Sequence, residues 1–415
     1  MLNTFTASTR ASEKLNLLVI GLDVAALAAS ANRSGHNVIS VDYFGDSDLK
    51  RSCKESLSII KQIKGESCGR LDENFSPEKL LELVKVLLKR HRIDAALLAS
   101  GLDDFPEVLS SINDLVQILG NEPNSISNVR DKERFYRNLR RLNIPHPETE
   151  VAEDLQGAEK KAKEIGYPVI VKPEKGFGGF GVRKALNFET LKSAFKAASS
   201  ISQRVLIQEF IQGKAASASL ISKDGRALTL TVNEQILGVS SLGQREPFGY
   251  CGNIVPLSAS EVILERCRDV AERVVSLNRL SGSNGVDFVV SEEGIPKVVE
   301  VNPRFQGTLE CVELVHGVNI FKAHLDACTR GVLPEVRKNR GIYCTRLILF
   351  ATERIQVPDL NTFTGVRDTP LPGAIVEGGE PICSVIREGL SRETSLFSAS
   401  DLAAHILQSL RSVAG

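Results

Sequence analysis

Two acids stand where a strand pattern brings them face to face. The segment GVDFVVSEEGIPKVVEVNPR, residues 285–304, reads as a β-hairpin, and a two-residue turn at Glu293-Gly294 sets Asp287 directly opposite Glu300. Carboxylates about 4.5–5.5 Å apart across antiparallel strands repel unless a cation lies between them. Asn302, two residues beyond Glu300, points to the same face. Three hard oxygen donors without His or Cys suit Mg²⁺, with Mn²⁺ as a substitute, and such a site completes its shell with water and substrate phosphate. The competing reading, a solvated strand face, has to place acids inside VDFVV and VVEVN.

A second constellation is PVIVKPEKGFGGFGV, residues 168–182. Lys172 on a strand beside Gly176, Gly178, Gly179 and Gly181 puts a positive charge next to a loop whose bare N–H groups can fold over phosphates. Protein kinases also pair a glycine loop with a strand Lys, but in the reverse order, and no HRDxxxxN or DFG follows here. The third is VLIQEFIQG, residues 205–213, an apolar strand ending in a carboxylate and a glycine. That ending suits a nucleotide hinge, with Glu209 accepting from an adenine amino group and the backbone of Phe210 and Ile211 against the ring. A surface Glu at a strand end is the alternative.

In this order and spacing the chain resembles the ATP-grasp superfamily, with DK at 131–132, VKP with its glycine loop, QEFIQG, then D…ExN followed by Arg304. The resemblance covers roughly residues 15–330. The tail GVRDTPLPGAIVEGGEPICSV is similar to the closing β segment of the biotin-carboxylase-related carboxylate-amine ligase branch. The resemblance implies ATP between two α+β subdomains. Lys132 and Lys172 would contact its phosphates, Gly176 to Gly181 would form the lid, and Glu209, Phe210 and Ile211 the adenine hinge. Asp287, Glu300 and Asn302 would hold Mg²⁺, and Arg304, with Lys172, would serve the reacting phosphoryl or acyl phosphate. Many members carry an acid for the ribose after the hinge glycine, where this chain has Lys214, Ala215, Ala216 and Ser217.

The activity this implies is an ATP-dependent carboxylate-amine ligase working through an acyl phosphate on a small, amino-acid-like carboxylate. The alternatives are a carboxylase or formyl-transfer enzyme of the purine-pathway type, using bicarbonate or formate, and a non-catalytic ATP-binding module. No protein nucleophile is needed, and the six His are isolated, His316 reading as a helix-end residue. For the second substrate, the loop QREPFGYCGNIVP offers Arg245, Tyr250 and Asn253, with Arg245 suited to a bidentate carboxylate contact. Glu310, Thr308 and the acid-rich VDYFGDSD (Asp42, Asp46, Asp48) are candidates for an ammonium group, a solvated loop being the competing reading of the last. Glu300→Ala is expected to abolish Mg²⁺-dependent turnover with the fold intact.

These residues need a scaffold, and the fold class expected is mixed α/β and α+β. LNLLVIG, DVAALAASANRSG and NVISVD open as β-α-β. Gly21, Asp23 and Ala26 do not make GxGxxG, so a Rossmann-like domain without nicotinamide cofactor is expected over 15–123. Asn124 to Arg130 reads as a polar connector. An ATP-grasp domain then spans 124–340, with a lid at about 148–210, a hairpin turning at Asp224-Gly225, and one helix over 310–330. A β-rich segment, 341–415, closes in a helix over DLAAHILQSL.

The 415 residues carry 51 Lys+Arg against 51 Asp+Glu, which argues against a broad nucleic-acid surface but allows one compact anionic ligand. No apolar stretch approaches the roughly 18 residues of a membrane helix. The Ser/Thr-rich start, residues 1–14, reads as a disordered lead-in rather than a transit sequence. The eight cysteines, with no CxxC pair, read as a reduced, cytoplasmic inventory. Expected partners are a small carboxylate and an amine, with no nucleic acid or membrane, and a homodimer is allowed for.

Overall fold

The computed structural model describes residues 14–335 and 339–412. The lead-in reading, on residues 1–13, falls outside them. A parallel sheet of four strands runs Glu55–Ser58, Asn37–Asp42, Asn16–Ile20, Ala95–Leu98. Its strands are short apolar runs because helices cover them, among them Ala25–Arg33 and Pro77–Arg90. Beside this sheet Ile118 makes an isolated parallel bridge to Ala96.

The polar stretch after Glu122 is a helix, Pro123–Arg130, not a connector. Pro123 starts it with a φ already suited to a helix, and Ile126, Val129 and Arg130 are buried. Its polarity misleads because one of the polar residues, Arg130, faces inward. Asp131 then caps the next helix, Lys132–Arg141, by accepting from the N–H of Arg134 at 3.0 Å.

Two antiparallel sheets follow. One has four strands, Thr149–Ala152, Val205–Glu209, Val169–Pro173 and Arg183–Ala185. The helices Leu155–Ile165 and Phe188–Ser199 lay Ala158, Ala162, Leu191, Ala194 and Ala198 into its core. Small residues at helical spacing let these helices sit close to the strands. The other sheet has eight strands. It begins with the hairpin Pro296–Asn302 and Gly282–Ser291 and continues through Gly213–Lys223, Arg226–Leu237 and Tyr250–Val255. Tyr343–Phe350, Pro381–Gly389 and Val366–Arg367 complete it, so these three tail strands extend the same sheet that carries the acids, while Ile375–Val376, Ile355–Gln356 and Arg411–Ser412 form a small antiparallel sheet of their own.

Asp224 and Gly225, both at positive φ, form the expected tight turn, with Lys223 paired to Arg226. The segment expected as one helix over 310–330 is two, Leu309–His316 and Ile320–Arg330, divided at Gly317 (φ +64°) and restarted by Asn319, whose side chain accepts from the N–H of Lys322. The last helix is longer than expected, Arg392–Ser409, because Ser391 and Thr394 make a capping box. All eight cysteines are free. No helix among the described residues is long and apolar enough to cross a membrane.

Candidate active site

Asp287 does face Glu300, but two deviations from the expected hairpin cancel to put it there. The turn holds three residues rather than two, between Ser291 and Ile295, whose N–H and C=O pair at 3.0 Å. That shifts Val290 opposite Pro296. A bulge between Asp287 and Phe288, absorbing Val299 on the facing strand, restores the register.

Around this pair the charges interlock. Asp287 accepts from Gln235 Nε2 at 3.1 Å and from Asn302 Nδ2 at 2.9 Å. Burial, and then the charge of Glu300, push its carboxyl up to about 6. Burial opposes ionisation of Glu300 too, yet Arg130 and Lys132 outweigh it and hold that carboxyl well below the usual range. Lys132 Nζ donates to Glu300 Oε1 at 2.7 Å, and Arg130 donates to the same oxygen. Arg130 also grips Asp104 with two bonds, of 2.6 and 2.8 Å. Asp104 in turn accepts from the N–H of Gly176 at 3.1 Å. One chain of contacts therefore joins the facing acids to the glycine loop. Arg304 donates to Asp103 at 2.6 Å and to Asn302 Oδ1 at 3.3 Å.

All of these groups but Asp104 border one end of a cavity of about 840 Å³, a volume suited to a nucleotide-sized ligand. The other end is apolar, walled by Ile170, Leu206, Phe210, Ile211, Phe288 and Val299. Lys184 Nζ lies 3.4 Å from the centroid of the Phe210 ring. The glycine loop closes the top. Tyr250 N–H donates to Gly178 C=O at 2.9 Å, and the Phe177 ring meets Phe75 of the parallel-sheet region at 5.8 Å.

Residues 129–308 match the ATP-grasp domain family. That stretch is an ATP-grasp domain. The chain is 29% identical over 373 residues to an uncharacterized protein of Methanocaldococcus jannaschii, covering 90% of this chain and 88% of the other. It is 27% identical to the C-terminal section of the carbamoyl phosphate synthase large chain of Methanopyrus kandleri, over 65% of this chain and 50% of that one. The chain thus spans about half the length of that synthase section. Among solved structures, biotin carboxylase of Campylobacter jejuni superposes with a TM-score of 0.73 at 18% identity, covering 96% of this chain and 92% of that one. L-amino acid ligase of Bacillus licheniformis gives 0.71 at 15%, covering 98% and 100%. These likenesses are of the fold.

Within the ATP-grasp cavity the structure assembles Lys132, Lys172, Gly176, Gly178, Gly179, Glu209, Phe210, Ile211, Tyr250, Asp287, Glu300, Asn302 and Arg304. The Glu209 side chain is engaged by Lys297 at 3.2 Å and by the N–H of Glu148 at 3.1 Å. Gly181 is off the cavity, donating to Glu246 at 3.1 Å. Arg245, Asn253 and Glu310 do not border it either. Arg245 turns away to satisfy the carbonyls of Thr352 and Gly378. Asn253 is fully buried and donates to the Tyr250 hydroxyl at 2.7 Å, so it positions Tyr250. Glu310 is neutralised by Arg367 at 2.7 Å.

Thr308 borders the cavity and shares a hydrogen bond of 2.9 Å with Ser219. Of the acids of the acid-rich loop, Asp46 lines it. Asp42 accepts from Gly45 N–H and Ser58, and Asp48 holds the N–H groups of Asp368 and Thr369. Sequence reasoning missed Arg130, Asp103, Asp104, Gln235, Arg346 and Asp368. Two signals pointed to some of them: Asp103 and Asp104 follow the C-terminal end of a parallel strand, where ligands gather, and Arg346 interrupts an otherwise apolar strand.

Two expectations arise from this geometry. Gly179 has φ +79°, and a Cβ on it would lie 2.0 Å from Phe248 O. Gly179→Ala should therefore cost about 1–3 kcal/mol of loop closure, read as roughly tenfold weaker ATP binding in calorimetry with an unchanged melting temperature. Equal affinity would mean that the loop does not close on nucleotide. Lys172 donates to Gln208 at 3.2 Å. Burial pushes its ammonium down to about 8, and an arriving triphosphate would raise it again. Nucleotide binding near that pH should take up a proton, so the binding enthalpy should vary with the ionisation enthalpy of the buffer, and Lys172→Met should remove the dependence. A buffer-independent enthalpy in the parent protein would contradict this.

Proposed function

We propose that the protein is an ATP-dependent carboxylate-amine ligase that forms an acyl phosphate on a small, amino-acid-like carboxylate and releases ADP and phosphate. The supporting observation is the convergence of Lys132, Lys172, Asp287, Glu300, Asn302 and Arg304 on one end of a cavity whose other end is apolar and roofed by glycines. In this reading the apolar end takes the adenine. Lys132 and Lys172 bind the phosphates, and the glycine loop excludes water over them. Arg304, held by Asp103, binds charge that grows on the transferring phosphoryl oxygens. Tyr250, fixed by Asn253, sits where the carboxylate substrate enters.

The donor set fits Mg²⁺. Two facing carboxylates and a carboxamide oxygen offer hard ligands, and burial followed by the charge of Glu300 raises the Asp287 carboxyl. Bound there, Mg²⁺ would neutralise charge on the phosphates.

The test is ADP release over a panel of amino acids, dicarboxylates and bicarbonate, each with and without an amine. Bicarbonate, the anion named with a 2-oxoglutarate carboxylase structure among the structural neighbours, is the arm that separates the carboxylase reading. ADP release that needs both a carboxylate and an amine supports the ligase. ATP binding without release under any condition would leave a non-catalytic ATP-binding module.

A further inference from the structure

Away from the phosphate-binding end, the cavity closes on a corner built from distant stretches of chain. Asp23 follows the strand Asn16–Ile20, Asp46 precedes the helix Ser47–Ser52, and Asp368 follows the strand Val366–Arg367. All three border the cavity, with Arg346 between Asp23 and Asp368. One Arg346 nitrogen donates to Asp23 at 3.2 Å, to Asp368 at 2.5 Å and to Ser384 at 3.1 Å. The other donates to Gly307 C=O at 3.1 Å, which joins the corner to the loop carrying Arg304. The Arg346 Nε–H, also buried, has no acceptor among the described residues.

One guanidinium thus serves two carboxylates, and the third has none. Asp46 is 6% exposed. It precedes its helix without a side-chain cap bond, and among the described residues its side chain accepts a single bond, of 3.2 Å from Gln62. No cation lies within ion-pair distance of it among the described residues. A carboxylate taken out of water without a cation is unfavourable. The charge is also crowded. Burial, then Asp368, Asp42, Asp48 and Asp23, drive the Asp46 carboxyl well above its ordinary value, and burial followed by Asp368 raises Asp23 to about 7. The three acids are not grouped as a metal-ligating cluster among the described residues. What suits the corner is a diffuse organic cation that donates several hydrogen bonds.

We infer that Asp23, Asp46 and Asp368 bind the ammonium group of a small amine-bearing substrate. This rests on the ligase reading for the site next door and names the class of molecule that site would join. The ammonium anchors in the acid corner, and the rest of the molecule extends past Gly307 toward Arg304.

The experiment uses the full chain without nucleotide. Lysine, ornithine and putrescine are titrated by calorimetry against butanediol and glutarate. At least one amine should bind where its uncharged and anionic counterparts do not. Asp46→Asn should weaken that binding by roughly tenfold or more. The variant loses a buried, unpaired charge, so it should fold at least as stably as the parent. Asp23→Asn repeats the test from another strand. A merely structural Asp46 predicts a changed melting temperature and unchanged amine affinity, and that result overturns the inference, as does amine binding no better than that of butanediol. ATP affinity is measured separately. Amine binding without ATP binding would sink the ligase reading and keep the corner, whereas ATP binding without amine binding would do the reverse.

Discussion

Glu300→Gln should unfold more easily than the parent protein and release ADP roughly 10²–10³-fold more slowly. Its carboxylate is the shared partner of Arg130 and Lys132, both buried. A neutral amide leaves Lys132 without its carboxylate and Arg130 with Asp104 alone, and breaking a buried pair from one side costs about 3–5 kcal/mol. The Glu300 side chain is 29% exposed to the cavity, which places the loss toward the lower end of that range. The sign with pH follows from the depressed carboxyl. The contribution is fully present above the unfolded Glu value near about 4.3 and is lost as pH falls from there through the folded value. Urea unfolding should therefore show a large difference between parent and variant near neutrality that shrinks in acid. Equal midpoints near neutrality would remove Glu300 from this network. The same geometry corrects the expectation that Glu300→Ala leaves the fold intact: Arg130, read from the sequence as part of a polar connector, makes the acid structural as well as functional.

Arg304→Met should lower kcat by about 10²–10³-fold with little change in KM for ATP. The guanidinium is tethered by Asp103 and lies against Asn302. In the proposed reaction it binds charge that appears mainly as the phosphoryl group moves, so its loss falls on turnover rather than on nucleotide binding. Arg304→Lys should recover only part of the rate, because an ammonium cannot hold Asp103 and a phosphoryl oxygen in one planar fork. Steady-state kinetics decides this. A raised KM with an unchanged kcat would make Arg304 a binding residue instead.

The parts of the site legible in the sequence were those whose partners lie close along the chain. Asp287 and Glu300 share one hairpin, so strand alternation alone placed them together, even though the turn and the bulge each departed from expectation. Lys172 and its glycines form one continuous loop. The acid corner was mostly out of reach, since Asp23, Arg346 and Asp368 converge across more than 300 positions and only tertiary packing joins them; only Asp46 was singled out, as an ammonium candidate. Arg245 failed for the complementary reason: its loop runs beside the cavity, but sequence does not say which way a side chain turns, and two unsatisfied carbonyls took it. The ATP-grasp class itself came from the order of motifs, which survives local errors such as the missed helix Pro123–Arg130.

The most direct test of the ligase account follows an oxygen atom. A carboxylate that supports ADP release is prepared with heavy oxygen in its carboxyl group and incubated with ATP, Mg²⁺ and the amine, and the released phosphate is examined by mass spectrometry. Attack of the carboxylate on the γ-phosphoryl, then displacement of phosphate by the amine, carries one labelled oxygen into the phosphate. Unlabelled phosphate, or release of AMP and pyrophosphate in place of ADP, would contradict the acyl-phosphate mechanism.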